Sequence, residues 1–536
     1  MINSNRRQFI KFFGRTGAMA VGISALPGCV LNTDEKTANQ IGKLPFTPID
    51  PIDSDNLVLP SGFNYHVIAK QGDAITDTQT FGDHNDYTAF YPLDDSGNDG
   101  LLWVNHENVS SLLVSGYQGS RSGVEKTLEQ VNLEMEAVGG SIIRVRKNSQ
   151  GKWEMIKNDP YNRRIHGLTP IPFNWDEPIL GKTEAIGTLA NCAGGITPWG
   201  SVLTCEENYH NFWGERNFET GESSGSPKRW DKYYDHPPEH YGWVVEVDFK
   251  TGEASKLVAL GRCAHEAAPV HQEKNGICVV YTGDDKENEC LYKFIGNEPN
   301  SLKKGTLYVA NTEKGQWISM DINEQPALKE NFKDQTEVLI RLREAAKLVG
   351  GTPLDRPEDI EFDPITGNVF MTLTNNKGKG NYHGSILKII EKDGNKLAME
   401  FTTETFIVGG EEMGFSCPDN IAFDKKGNLW VCCDIGGGEL NKPPYEKFKN
   451  NGLYFIPMSG PMAGMVFQVG SAPVAVELTG LTFSPDFKTL FLSVQHPGET
   501  SRSLDELTSH WPDGGDSLPR SSVVAIHGEA LDKLMG

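Results

Sequence analysis

Five side chains that could bind metal ions recur at one position of a repeated sequence pattern. Each stands four residues before an apolar residue that anchors its copy of the pattern. Carboxylate oxygens are the ligands that Ca²⁺ prefers, whereas a thiolate among them suits iron or another transition ion better. If the fold brings these groups together, they repel one another unless cations neutralise them. The residue types therefore predict a multi-metal centre with a calcium component. The five are Asp86, Cys192, Glu266, Glu358 and Asp419, and the sixth position holds Thr479.

The repeat is clearest in three stretches, residues 357–372, 418–432 and 479–494. Each has the composition of a strand, a turn rich in Asp, Asn or Gly, and a second strand. The anchoring residues Phe362 and Phe423 are 61 residues apart, and Phe423 and Phe483 are 60 apart. Such a period is typical of β-propeller blades, which bring corresponding positions to one central channel. Looser copies upstream raise the predicted number of blades to six, and their anchors are Phe90, Ile196 and Val270.

The fold predicted from this pattern is all-β, a six-bladed β-propeller with long loop and short-helix insertions. We assign residues 61–536 to the propeller, residues 30–60 to a linker or N-terminal arm, and residues 1–29 to an export signal. Insertions are predicted at about 108–185, 208–240, 285–350, 435–450 and 497–519.

The ends of the second strands add further carboxylates. In a propeller these residues would face the same end of the channel as the repeated position. The alternative interpretation is that the acids only end strands and cap turns in solvent, as single acids commonly do. The acids concerned are Glu107, Glu206, Glu207, Asp284 and Asp434.

Five motifs, the first of them in two parts, resemble those of the PhoX family of bacterial alkaline phosphatases, and the matches spread from about residue 105 to residue 498. They are NCAGGITPWG at 191–200, LTCEE at 203–207, GRCAHEAA at 261–268, RPED at 356–359, CPDN at 417–420 and QHPG at 495–498. The resemblance implies a six-bladed propeller that hydrolyses phosphate monoesters with a mixed cluster of Fe³⁺ and Ca²⁺.

Carried over residue by residue, the resemblance also implies roles in the site. Arg356 would bind the phosphate, a task that suits the planar guanidinium because it can meet two phosphate oxygens at once. The alternative for Arg356 is a structural ion pair with a neighbouring acid. The predicted metal ligands are Cys192, Glu207, Glu266, Glu358 and Asp419, with Glu206, Asp86 and Glu107 as further candidates.

One position departs from the family pattern. The stretch at 305–310 resembles a family strand that is followed by a phosphate-binding lysine, but this chain has Asn311 there. A positive charge beside the phosphate is then missing, which puts the catalytic efficiency or the substrate class in question. Lys303 and Lys304 are candidates to replace it.

The N-terminus predicts export. Arg6 and Arg7 precede Phe-Ile-Lys and a weakly apolar stretch at 16–27, as in twin-arginine signals. An ordinary basic secretory signal is the alternative. Residues 26–29 partly match a lipoprotein cleavage site, with lipid attachment on Cys29 as one outcome. We therefore predict a periplasmic or extracellular protein that uses the twin-arginine export machinery.

Charge and hydropathy limit the partners. The formal net charge of −22 argues against nucleic-acid binding, which needs a basic surface. No apolar stretch is long enough for a transmembrane span in the mature chain. The expected partner is a small phosphate ester, and the expected oligomeric state is a monomer.

Two other functions remain open at this stage. A calcium-dependent lactonase or esterase propeller would share the motif at 418–420, but it has no use for the Cys192 thiolate or for the Glu206–Glu207 pair. A non-catalytic binding propeller, with metals that serve only the structure, would fit the departure at Asn311.

Overall fold

A computed structural model describes residues 44–119 and 124–536, which form a ring of six antiparallel sheets. The predicted all-β, six-bladed propeller is confirmed. Hydrogen bonds join the first strands of neighbouring blades. Thr88 in blade 1 donates from Oγ1 to the carbonyl of Gly480 in blade 6, at 2.6 Å. Since first strands of blades 1 and 6 touch, the ring is closed around a central channel.

The first three blades follow one another along the chain. Blade 1 contains Asn85–Pro92, Asp99–His106, Gly139–Lys147, Trp153–Met155 and, beside the third strand, Arg163–Ile165. Blade 2 contains Asn191–Ile196, Ser201–Glu206, Val244–Asp248 and Ala254–Lys256. Blade 3 contains Val270–Gln272, Cys278–Gly283, Leu291–Gly296, Gly305–Asn311 and Gln316–Ser319.

The last three blades have four strands each. Blade 4 contains Pro357–Phe362, Val369–Leu373, Ser385–Glu391 and Phe401–Val408. Blade 5 contains Pro418–Phe423, Leu429–Cys433, Gly452–Ile456 and Phe467–Ser471. Blade 6 contains Leu478–Phe483, Leu490–Val494, Ser522–His527 and, as its outer strand, Asn64–Lys70.

Blade 6 joins the two ends of the described chain. Asn64–Lys70 runs antiparallel to Ser522–His527, from the pair Asn64 and His527 to the pair Lys70 and Ser522. The early strand thus supplies the outer edge of the last blade. This pairing, which has one irregularity between Val67 and Ala69, ties the start of the described chain to the last blade and so helps to close the ring.

The repeated phenylalanines pack neighbouring blades together. Phe423 lies edge-to-face on Phe370 of blade 4, with ring centroids 5.2 Å apart. Phe483 makes the same contact with Trp430 of blade 5, at 5.7 Å. Phe362 meets Tyr281 of blade 3 at 5.8 Å. Each anchor therefore contacts the second strand of the preceding blade, and aromatic pairs of this geometry add to the free energy gained from burial.

A β-bulge lies at the repeated metal-type position in most blades. In blade 4, Glu358 and Asp359 together face the single residue Thr372 of the second strand. The same two-against-one pairing occurs in blades 1, 2 and 5, and one residue later in blade 6. A bulge bends the strand and turns its side chains away from the ladder. It therefore lets a first strand present two consecutive side chains near the channel.

Two of the predicted insertions contain blade strands and are corrected here. The ranges 108–185 and 285–350 include the third and fourth strands of blades 1 and 3, so only parts of them are insertions. The α-helices of the described chain are short: Ser111–Val114, Leu128–Ala137, His210–Trp213, Pro326–Asn331, Gln335–Ile340, Leu342–Val349 and Glu529–Met535. Single 3₁₀ turns occur at Trp230–Lys232, Pro238–His240, Val258–Leu260, Lys377–Lys379 and Lys392–Gly394. Two small ribbons pair Pro170–Pro172 with Glu184–Ile186, and Glu287–Glu289 with Leu354–Asp355.

The segment before the propeller contacts blade 5. The amide of Ile49 donates to the carbonyl of Gln468, and Val58 pairs with Ser471. Within the described residues, no helix has the length and apolar character to cross a membrane. The predicted signal peptide and Cys29 lie outside the described residues. The domain boundary at residue 60 stays a prediction.

Candidate metal centre

The channel mouth gathers the side chains that the repeat singled out. Asp86, Cys192, Glu358 and Asp419 are each the second residue of a first strand. Glu266 precedes the short first strand of blade 3. The Sγ of Cys192 lies 3.1 Å from Glu266 Oε1 and 3.4 Å from Asp86 Oδ2. Side chains from separate blades are thus in direct contact, as the repeat predicted.

Two groups of ligand atoms overlap at Glu266. Cys192, Glu207 and Glu266 form one group, and Glu266, Glu358 and Asp419 form the other. Within each group the ligand atoms lie within 4.8 Å of one another. Atoms this close can share one ion at ordinary metal–ligand distances of about 2–2.5 Å. The two groups can therefore hold neighbouring ions that share Glu266.

The carboxylates of these groups are buried without enough hydrogen-bond donors. Glu207 Oε1 and Glu266 Oε2 have no hydrogen-bond partner, and neither does Asp86 Oδ1. Burial, reinforced by the neighbouring acids, raises the pKa of Glu207 and Glu266 well above the usual range. Burial likewise raises the pKa of the Cys192 thiol. A buried acid normally has partners, so this set fits bound cations, which would neutralise it and fill the free lone pairs.

Two further acids extend the centre towards blades 1 and 6. Gln495 donates from Nε2 to Asp86 Oδ2 at 2.8 Å and to Glu107 Oε2 at 3.1 Å. Burial is the main cause that raises the pKa of Asp86 to about 6 and that of Glu107 to about 8. Gln495 occupies in blade 6 the place that Glu107 has in blade 1, directly after the second strand. It orients both acids without adding charge.

Arg356 lies at the edge of the acids, and its geometry is tightly set. Its Nε and Nη2 each donate to one oxygen of Asp285 at 2.8 Å, and Nη2 also lies 2.6 Å from Glu358 Oε1. Burial opposes the charge of Arg356, but Asp285 and Glu358 outweigh it and raise the pKa well above its usual range. The Nη1 atom lies 3.8 Å from Asp434 Oδ2, and the side chain is 24% exposed. Arg356 is therefore ion-paired on one side and open on the other.

The residue two places before the repeated acid forms a second recurring position. His84, Ala190, Arg356 and Cys417 all stand there with positive φ, between 43° and 55°. Residues other than glycine rarely adopt this conformation, and such strain concentrates at functional sites. In blade 6 this position holds Glu477. Inspection of the position two residues before the repeated acid in each blade would have identified Arg356 and Glu477 without any family resemblance.

Glu477 and Asp285 are site residues that the sequence analysis missed. Glu477 and Asp419 interact closely, and burial raises the pKa of both above the usual range. Glu477 thus supplies blade 6 with the carboxylate that Thr479 lacks. Asp285 is the next residue after Asp284, the acid that the sequence analysis predicts at the end of the second strand of blade 3. Asp284 instead pairs with Arg343 of the helix Leu342–Val349, at 2.5 and 2.8 Å.

Glu206 lies in neither group of candidate ligand atoms, because its carboxylate is paired elsewhere. Its Oε1 lies 2.6 Å from Lys256 Nζ, and both side chains are fully buried. Its Oε2 accepts the backbone amides of Gly242 and Trp243 at 3.0 and 3.1 Å. Glu207 follows directly after the strand that contains Glu206, and its carboxylate lies with Cys192 and Glu266 instead.

Lys303 and Lys304, the candidates to replace a positive charge at Asn311, are paired elsewhere. Asn311 donates to the carbonyl of Gly350 at 2.8 Å and accepts the amide of Lys314 at 2.9 Å. Lys303 and Lys304 precede the start of strand Gly305–Asn311 and both pair with Asp176. A seven-residue strand spans about 20 Å, so these lysines lie far from the strand end that carries Asn311. They do not replace the missing lysine.

An open cavity of about 320 Å³ adjoins Arg356. It is lined by loops that follow the second strands of blades 1, 5 and 6, including a run of three glycines at 436–438. Asp434, which lines it, is the residue 3.8 Å from Arg356 Nη1. Asp434 therefore connects the cavity with the free end of the guanidinium. The acidic lining residues of the cavity are Glu107, Asp434, Glu439, Glu477 and Glu499.

The fold and the site together define a propeller whose channel mouth combines buried acids with an open arginine. Residues 44–498 match the model of the family described as alkaline phosphatase PhoX. The chain belongs to this family, and it is a phosphatase.

A solved structure supports the assignment. The structure of Pseudomonas fluorescens PhoX in complex with vanadate, a transition-state analogue, matches with a TM-score of 0.80 and 29% identity. The match covers 91% of this chain and 98% of that chain. A gluconolactonase from Xanthomonas campestris, XC5397, aligns at 10% identity over 90% of this chain and 97% of its own, with a TM-score of 0.35. No curated protein sequence matches this chain significantly.

Proposed function

We propose that this phosphatase hydrolyses phosphate monoesters with an iron–calcium cluster at the channel mouth. The observation that supports this most directly is the overlap of two ligand groups at Glu266, with buried oxygens that lack partners. Cys192 favours iron in the first group, because a thiolate is a soft ligand. The second group has only carboxylates, which favours calcium. The proposed ligands are Cys192, Glu207, Glu266, Glu358 and Asp419, and Asp86, Glu107 and Glu477 complete the acidic shell.

Arg356 would bind the phosphoryl group. Asp285 holds Nε and Nη2 of Arg356, so Nη1 is the donor that remains for a ligand. Its exposed end lies beside both the acids and the cavity. When bound, the cluster would supply positive charge that offsets the charge on the phosphoryl and leaving-group oxygens. The protein's own part is to hold the guanidinium and the phosphoryl oxygens in a fixed relation, which lowers the entropic cost of reaching the transition state.

The alternative role for Arg356, a structural ion pair, is present in the same geometry. Asp285 and Glu358 both pair with it. A purely structural arginine would have its donors satisfied and would be closed to solvent. The exposed fraction of 24% and the loose pairing of Nη1, 3.8 Å from Asp434 Oδ2, support phosphate binding in addition to the ion pair.

The cellular setting belongs to the same proposal. We keep the twin-arginine signal at residues 1–29, the periplasmic or extracellular location, the possible lipid on Cys29 and the monomeric state as predictions. Export of an already folded protein would let the cell load the metals before the protein meets competing ions outside. The eight cysteines of the described chain are all unpaired and buried, so the described fold is held without disulfides.

The first experiment is elemental analysis of the purified periplasmic protein, run beside an aryl-phosphate assay with and without chelator. We expect iron together with calcium, and activity that the chelator removes and the two metals restore. Replacing Cys192 by Ser should lower the iron content and the activity while calcium stays bound. Calcium without iron in an active protein would contradict the mixed cluster. Activity that withstands chelation would contradict metal dependence altogether.

A further inference from the structure

We infer that the acidic cavity beside Arg356 receives the leaving group of the ester, and that Glu439 and Glu499 at its rim favour cationic over anionic leaving groups. This inference rests on the proposed function, because it takes Arg356 as the phosphate-binding residue. It adds a substrate class to that function: monoesters whose alcohol part carries an amine or only hydroxyl groups.

The proposed position of the leaving group follows from the open end of Arg356. A phosphoryl group bound at Nη1 would lie next to Asp434, which is 3.8 Å from that atom and lines the cavity. On the other side, Nε and Nη2 are held by Asp285. The ester oxygen must therefore point away from Asp285, and the cavity is the adjoining open space. Its volume of about 320 Å³ accommodates a small alcohol group.

The lining has an unusual charge balance. Five of the twelve lining residues are carboxylic acids, and none of the twelve is a lysine or an arginine. Its two histidines are His84 and His496. With the inner acids bound to cations, an anionic leaving group would still meet Glu439 and Glu499, and the lining offers no lysine or arginine to balance them.

The two acids at the rim are the ones that stay available to a substrate. The side chains of Glu439 and Glu499 are 45% and 46% exposed. Neither belongs to the two candidate ligand groups. Metal ions bound to the inner acids would therefore leave the charge of these two glutamates in place. The charge of Glu499 is also favoured by His496, whose Nδ1 lies 3.5 Å away.

Lys377, which does not line the cavity, forms an ion pair with one of the two rim acids. Lys377 lies 2.7 and 2.6 Å from the two oxygens of Glu439. It belongs to the loop after the second strand of blade 4, whereas Glu439 belongs to the corresponding loop of blade 5. Removing Glu439 both deletes a negative charge and releases Lys377. Removing Lys377 has the opposite effect on the charge of the rim.

The wall between these acids gives room for polar groups. Residues 436–438 are glycines, and their amides donate to no other group within the described residues. A Cβ at Gly437 would lie 3.3 Å from Glu499 Oε2 and 3.1 Å from the carbonyl of Ala475. The absence of side chains therefore keeps Glu499 accessible and leaves backbone donors for a hydroxyl oxygen.

Three substrates of nearly equal size test the inference: 2-aminoethyl phosphate, 2-hydroxyethyl phosphate and phosphoglycolate. Their leaving groups are cationic, neutral and anionic. Intrinsic reactivity differs among them, so the readout is how a substitution changes the ratio of kcat/KM for the aminoethyl ester to that for phosphoglycolate. This change cancels the intrinsic difference.

We expect Glu499→Gln and Glu439→Gln each to lower this ratio by roughly three- to tenfold at low salt, and less at high salt. Lys377→Gln should raise it. The matched control is Glu404→Gln, on the outer strand of blade 4, where an exposed glutamate pairs with Lys388 away from the cavity. Its ratio should equal that of the wild type.

The outcomes separate this inference from the proposed function. If the metal-loaded wild type hydrolyses neither an aryl phosphate nor any of the three esters, the proposed function fails. If it hydrolyses the aryl phosphate but not the aminoethyl ester, this inference fails. If it hydrolyses the three esters but both rim variants keep the wild-type ratio within twofold, the leaving group does not lie in this cavity. The same conclusion follows if Glu404→Gln changes the ratio as much as the rim variants do.

Discussion

Glu206 and Glu207 are neighbours in the chain, both are buried, and they have opposite surroundings. Glu206 has a lysine and two backbone amides as partners. Glu207 has an oxygen without any hydrogen-bond partner, and its nearest charges are other acids. A buried charge without a partner costs several kcal/mol, so a fold that keeps one has a use for it. Glu206 therefore has the surroundings of a structural acid, whereas those of Glu207 fit a metal ligand.

A second region of the molecule shows the structural pattern again. Glu391, in blade 4, accepts hydrogen bonds from Tyr281 and Trp317 of blade 3 and pairs with Lys293 at 3.1 Å. Both charged side chains are fully buried. This acid joins two blades and is satisfied on all sides. The acids of the channel mouth therefore differ from Glu391 in their missing donors, although all of them are buried.

The largest expected effect is at the shared ligand. Glu266→Gln removes one ionised oxygen from both candidate groups, so we expect kcat/KM for an aryl phosphate to fall roughly a thousandfold, which corresponds to about 4 kcal/mol. Iron and calcium contents, measured by elemental analysis, should fall together. The circular dichroism spectrum should stay that of the wild type. Full activity with an unchanged metal content would show that Glu266 is not a ligand.

The matched change at a paired acid should affect stability instead of activity. Glu206→Gln leaves the Lys256 charge buried without its counter-ion, which we expect to lower the free energy of unfolding by about 3 kcal/mol. Denaturant unfolding measures it. The folded variant should keep its metals and its activity within about threefold. Replacing both residues by Met removes both charges and should recover part of the loss. Loss of metal from folded Glu206→Gln would return Glu206 to the ligand set.

An intermediate effect is expected where an acid positions the arginine. Asp285→Asn weakens the two hydrogen bonds that orient Arg356, so KM for an aryl phosphate and the inhibition constant of inorganic phosphate should both rise about tenfold. The effect on kcat should be smaller. Asp285→Glu should restore part of the affinity. If the metal content of Asp285→Asn falls in parallel with the affinity, Asp285 acts as a ligand, and the positioning role is wrong.

The smallest effect concerns the pH dependence of the metal-free protein. Burial raises the pKa of Asp86 to about 6 and that of Glu107 to about 8, whereas both would be near 4 in the unfolded chain. Their contribution to stability is complete below about pH 4 and is lost as the pH rises through these values. The melting temperature of chelator-treated protein should therefore drop by roughly a few degrees between pH 5 and pH 8.

The metal-loaded protein supplies the comparison for that measurement. Bound cations favour the ionised acids, so its melting temperature should vary less over the same range. A chelated protein that becomes more stable as the pH rises would contradict the assignment of these acids as buried and unpaired.

Much of the fold could be predicted from the repeat. Phe362, Phe423 and Phe483 recur because each must pack on the preceding blade, and this requirement leaves a regular trace in the chain. The extent of blades 1 and 3 could not be predicted in the same way. Their third and fourth strands are separated from the recognisable motifs by loops and helices, so they were assigned to insertions. The closing strand Asn64–Lys70 carries no repeat motif, and only its pairing with Ser522–His527 assigns it to blade 6.

The sequence by itself determined which chemistry the channel mouth could hold. Side chains that could bind metal, repeated at one position in five of the six blades, must meet their counterparts, because a propeller is a closed ring of equivalent units. Only the tertiary structure decided which of two adjacent acids points inward and which acid orients Arg356. It also decided that Glu477 of blade 6 lies beside Asp419. These outcomes depend on bulges, on strained backbone and on contacts between distant segments. They are properties of distances between atoms, which residue order along the chain does not contain.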